Sequence, residues 1–185
     1  MRLAAPLLVA ACAGLALGAC HRSPRLDVNA ADAGAVALSQ SYPAPNNLLT
    51  ARYPADFAAK ISGKSAVVLA RNLGGGEDEA ITLVSVATPI SNDANEYDRV
   101  VLLAEESKFE AYAQTARRTT TCFGSPCVET EGDWKTASGR PYRVQFRSFI
   151  HRGHGYTFTA LAPIHLAGSE VPFLDRIMDA TELAD

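Results

Sequence analysis

The chain has 185 residues, enough for about one domain, and its 48 % hydrophobic and 20 % charged content is that of a globular protein, not a disordered one. Its formal net charge of -3 lacks the concentrated basic surface with which nucleic-acid binders displace counterions. That class is excluded.

The first elements form a leader. Arg2 gives a short positive region, and Leu3 to Leu17 follow as an uncharged apolar stretch. The stretch falls short of the roughly 20 residues a membrane-spanning helix needs, and small residues close it, as in a secretory signal. The exit reads Leu17-Gly18-Ala19-Cys20. These residues resemble the lipobox of bacterial lipoproteins: an aliphatic residue, two small residues, then the cysteine whose thiol takes the lipid. The resemblance implies a signal peptide over 1–19, lipidation at Cys20 and attachment to a membrane. Two or more acyl chains hold where one is marginal. His21 stands where Asp marks inner-membrane retention in that family, which implies the outer membrane, with the domain facing the periplasm. Ordinary secretion with a free Cys20 is the alternative.

From 20 to 47 the composition turns to Ala, Ser, Pro, Asp and Asn, with Pro24, Pro43 and Pro45 interrupting regular structure. Such a segment buries too little to offset its ordering entropy, so it is expected to be a flexible tether. Residues 48–185 form the domain. Leu48 to Tyr53 reads as a first strand and Ala55 to Ile61 as a short helical turn. Ser65 to Asn72 and Ala80 to Ala87 read as strands of a hairpin around Gly74-Gly75-Gly76. Asp93 with Glu96 has the spacing of a capping box. A long helix is expected from there to about Arg118, with Phe109, Tyr112, Ala113 and Ala116 inward and Glu105, Glu106, Lys108 and Glu110 outward. Val100 and Val101 leave a strand open over Arg99 to Leu103.

Val128 to Thr136 reads as a strand turning at Ala137-Ser138-Gly139. In Pro141 to Ile150, Tyr142, Val144, Phe146 and Ile150 alternate with Arg143, Gln145 and Arg147, the period of a half-buried strand. Tyr156 to Ala162 returns beside it. Ser169 is expected to cap a closing helix with Pro172 in its first turn and Phe173, Leu174, Ile177 and Met178 as its buried stripe. The whole predicts an α+β fold: an antiparallel sheet packed by a long central helix and a C-terminal helix. The order of elements over Leu48 to Leu183 resembles the PsbP-like family of small α+β domains. That resemblance implies a sheet between helices and a binding or assembly role, with no catalytic residues carried over.

Cys122 and Cys127 enclose Phe123-Gly124-Ser125-Pro126, a tight reversal, and in an exported protein a disulfide is expected. The competing reading makes Cys122, Cys127, His151 and His154 the ligands of a zinc or copper site in a metal-handling protein. Arg140, Arg143, Arg147 and His151 are candidates for a cationic strip that holds an anionic ligand or an envelope protein. Ordinary solvated side chains are the alternative. Glu77, Asp78 and Glu79 read as a solvated acidic turn. Gly63-Lys64-Ser65 lacks the earlier glycine of a phosphate-binding loop, since Ala58 occupies that position. No catalytic motif is present, so a non-enzymatic domain without cofactor is expected. An enzyme assembled from dispersed residues leaves no local signature.

Overall fold

The alternating apolar runs become a seven-stranded sheet. The computed structural model describes residues 37–109 and 111–184; the leader, Cys20, the tether up to residue 36, Glu110 and the Glu106 side chain lie outside that description. In chain order the elements are β1 (Gln40–Pro43), β2 (Leu49–Tyr53), β3 (Ala58–Ser62), β4 (Ala66–Gly74), β5 (Glu77–Val86), α1 (Ala94–Glu106), β6 (Ala113–Cys122), β7 (Ser125–Lys135), β8 (Pro141–His151), β9 (His154–Pro163), α2 (Ala167–Asp179) and β10 (Glu182–Leu183). The large sheet runs β3-β4-β5-β9-β8-β7-β6, and a small one runs β1-β2-β10. Every ladder is antiparallel. The α+β class is therefore the expected one.

Period-two alternation sorts side chains onto two faces. On one face Phe149, Tyr156, Phe158 and Ala160 join Leu49, Ala51, Leu174 and Ile177 in the larger core, with α2 packed on β9 and β2. On the other, Val144 and Phe146 meet Leu102 of α1. Two glycines admit close aromatic approach: the Tyr112 ring occupies the space a Cβ on Gly132 would need, and a Cβ on Gly155 would lie 2.7 Å from the Tyr97 ring.

Four expectations are corrected. Gln40–Pro43, inside the expected tether, pairs with β2, so ordered structure begins well before residue 48. Ala55 to Ile61 is no helical turn: Ala58–Ser62 pairs with β4. The long helix stops at Glu106, and Ala113–Cys122 is an edge strand instead. Thr115 and Thr119 to Thr121 are β-branched and favour extended backbone, while Phe109 and Tyr112 still bury against Phe146, from a turn in place of a helical face. Helix α2 has Leu166, not Ser169, at its N-cap and no side-chain cap; its expected stripe is buried. At α1 the Asp93 carboxylate accepts from the Glu96 amide as expected. Glu96, however, accepts from the Ser91 hydroxyl at 2.7 Å instead of reaching back to Asp93.

Candidate functional site

The alternation of β8 places Arg143, Arg147 and His151 on one face, as expected, but their charge is not free. Arg147 has a 9 % exposed side chain and lies 3.1 Å from Glu129, 2.9 Å from Asp175 and 2.6 Å from Asp179. Arg143 lies 2.7 Å from Asp133 and 3.7 Å from Glu131. On the neighbouring strands Arg118 reaches Glu129 at 2.6 Å. Five carboxylates thus face three guanidiniums, and the cationic strip becomes an acid-rich, largely self-compensated network. Burial pushes Asp175 up to about 6, against the pull of Arg147. Arg140 lies apart, donating to the Gly76 carbonyl at the β4–β5 turn. His151 is hydrogen-bonded to Ser125 at 3.1 Å.

The carboxylates were legible in principle. Glu129, Glu131 and Asp133 alternate along β7, and the register sets them opposite Arg147, Gln145 and Arg143. Counting across the Gly139 turn finds them.

Cys122 and Cys127 form a disulfide with Cα atoms 5.4 Å apart. Their thiolates are consumed, and His154 turns away to donate from Nδ1 to the Ala87 carbonyl at 3.0 Å. Among the described residues no group of three or more His, Cys, Asp or Glu could hold a metal. The four-residue metal site is overturned by the sulfur–sulfur bond. The expected acidic turn also changes character: Glu79 is fully buried across from Arg71.

A groove that local patterns did not reveal lies between α1 and β6. Its cavity of about 260 Å³ is lined by Asp98, Arg99, Leu102, Leu103, Gln114 and Arg117. A register shift between Gln114 and Ala116 makes this lining possible. Residues three apart on a regular strand point to opposite faces, but the extra residue of the bulge brings Gln114 and Arg117 to the same one. Asp98 is 1 % exposed. One of its oxygens accepts from Arg117 at 2.9 Å, and the other has no partner among the described residues. A buried acceptor left unmade costs about 1–3 kcal/mol or more, so a donor that reaches this oxygen is favoured. Leu103, 66 % exposed, gives the groove an apolar lip.

No family model matches the chain, and no curated protein of similar sequence does. Solved structures do share its fold. The cyanobacterial PsbP (CyanoP) of Synechocystis sp. PCC 6803 aligns at 12 % identity over 78 % of this chain and 92 % of that one, TM-score 0.56. The Ran-binding protein Mog1p of Saccharomyces cerevisiae aligns at 12 % over 79 % and 95 %, TM-score 0.54. LpqN of Mycobacterium tuberculosis, described as involved in cell envelope biogenesis, aligns at 13 % over 74 % and 83 %, TM-score 0.54. The chain spans about half, 48 %, of a similarly folded Bacteroides thetaiotaomicron protein. At these identities the likeness is one of fold: the chain has the architecture seen in the PsbP-like CyanoP, as its element order implied.

Proposed function

We propose that this chain is a lipid-anchored, non-enzymatic binding domain of the bacterial cell envelope, held through Cys20 at the periplasmic face of the outer membrane. The leader and the Leu17-Gly18-Ala19-Cys20 exit support the anchor. Among the described residues no helix is long and apolar enough to cross a membrane, so the lipid is the attachment on this reading. LpqN, of like fold, is described as involved in cell envelope biogenesis, and Mog1p, also of like fold, as a Ran-binding protein.

The observation that carries the binding role is the α1–β6 groove. Its lining offers a buried acceptor without a partner among the described residues, two guanidiniums, an amide and two leucines. These groups are suited to recognition: polar atoms fix orientation and apolar walls supply contact area. Fractionation of cells carrying Cys20→Ala should move the protein from the membrane to the soluble envelope fraction. Tight membrane association of that variant would overturn the anchor. Mild crosslinking in the native host should recover a defined partner with the wild-type protein, and recovery of none would overturn the binding role.

A further inference from the structure

The edge strand next to this groove is open along its length. β6 is the terminal strand of the large sheet, pairs only with β7 among the described residues, contains no proline and is exposed at eight of its ten positions. An unpaired edge presents backbone donors and acceptors to any extended chain, and an added strand lies about 4.8 Å beyond it.

We propose that the α1–β6 groove docks an extended, acidic segment of a partner protein, which adds as a further strand to β6. This deepens the binding-domain reading and rests on it. The ladder supplies affinity, and alternate side chains of the segment enter the groove. One of them, a hydroxyl or amide, donates to the unpartnered oxygen of Asp98. Another, two residues along, covers Leu102 and Leu103. The sign of the partner follows from the lining. Arg99 makes no ion pair among the described residues, and with Arg117 it sets two guanidiniums against the single carboxylate of Asp98. A carboxylate on the segment complements Arg99, whereas a lysine there meets two like charges.

The test uses a displayed library of random decapeptides selected on the immobilised full-length protein, followed by synthesis of the selected peptides. The expected peptides carry an acidic residue near an apolar one and a hydroxyl or amide residue. On binding they should protect amides of Ala113–Cys122 from hydrogen exchange at alternate residues. N-methylating alternate amides of the peptide should abolish binding in one phase and spare it in the other. Arg99→Glu and Leu103→Ser change exposed side chains and should leave thermal unfolding unchanged. Each should weaken binding about tenfold or more, and Arg99→Glu should shift selection toward basic peptides. Protection over Glu129, Glu131 and α2 in place of β6 would overturn the groove while sparing the binding role. Failure to select any peptide, together with no crosslinked partner, would overturn both. A concentration-dependent dimer protecting the β6 amides would assign the edge to a second copy of this chain and overturn the foreign segment.

Discussion

Arg71 on β4 and Glu79 on β5 stand directly opposite each other in the ladder, and the guanidinium lies 2.5 Å from a carboxylate with no solvent exposure. The same arginine reaches Asp56 at 2.9 Å and Glu170 of α2 at 2.7 Å, with its head 5.1 Å from the Phe57 ring centre and 4.7 Å from that of Phe173. One cation thus serves three acids. Burial pushes Glu79 up to about 8, reinforced by the neighbouring Glu170 carboxyl and opposed by Arg71. A carboxyl raised on folding makes the native state bind more protons than the unfolded chain. Stability therefore falls as pH rises from the ordinary carboxylate range through about 8, by up to about 1.4 kcal/mol per pH unit. Urea midpoints measured from pH 5 to 9 should decline, and Glu79→Gln should flatten the decline. An unchanged slope in the variant would assign the effect elsewhere.

Arg147 repeats this arrangement farther along α2, with Glu129, Asp175 and Asp179 around one guanidinium. Removing it leaves Glu129, whose side chain is 9 % exposed, with Arg118 as its one remaining ion-pair partner among the described residues. Arg147→Leu should destabilise the domain by about 3 kcal/mol, read as a lowered urea midpoint. The double change with Glu129→Gln should recover part of that loss, because the orphaned buried charge goes with it. Asp175, raised to about 6, should titrate higher still once Arg147 is gone.

Gly132 and Gly155 are fixed by the rings above them. A Cβ at either position enters the space of Tyr112 or Tyr97, and such overpacking costs about 1–3 kcal/mol. Gly132→Ala and Gly155→Ala should each lower the unfolding temperature. Shrinking the ring in Gly155→Ala/Tyr97→Leu should recover part of the loss, which a backbone effect alone would not allow.

The Cys122–Cys127 bridge closes a ring of sequence separation 5, for which loop-closure entropy gives about 2 kcal/mol. Cys127 is fully buried, so reductant should act slowly on the folded protein and lower the denaturation midpoint modestly. Alkylation without reductant should leave both cysteines unlabelled in intact-mass spectra. Rapid labelling of both thiols would refute the bridge.

The helical spacing of Phe109, Tyr112, Ala113 and Ala116 imitated a helix, but only Phe109 and Tyr112 pack inward, from a turn, while Ala113 and Ala116 lie exposed on β6. β6 itself gave no alternation to read: an edge strand open on nearly all sides needs no apolar face. β3 hid for the same reason, with four of its five residues exposed. Glu79 read as part of a solvated turn since nothing nearby announces its partners: Arg71 lies across the hairpin, and Glu170 comes from an element 99 residues away from Arg71.

By itself the sequence determined the paired strands around Gly139 and Arg152-Gly153, the Asp93 cap, the buried stripe of α2 and the cysteine pair. Each of these depends on neighbours a few residues apart or on a single strand's period. The tertiary structure decided where the charges go and what remains open. Which carboxylate meets which arginine depends on register and on where α2 lands. The groove around Asp98 forms because a bulge in β6 and one turn of α1 converge from separate parts of the chain.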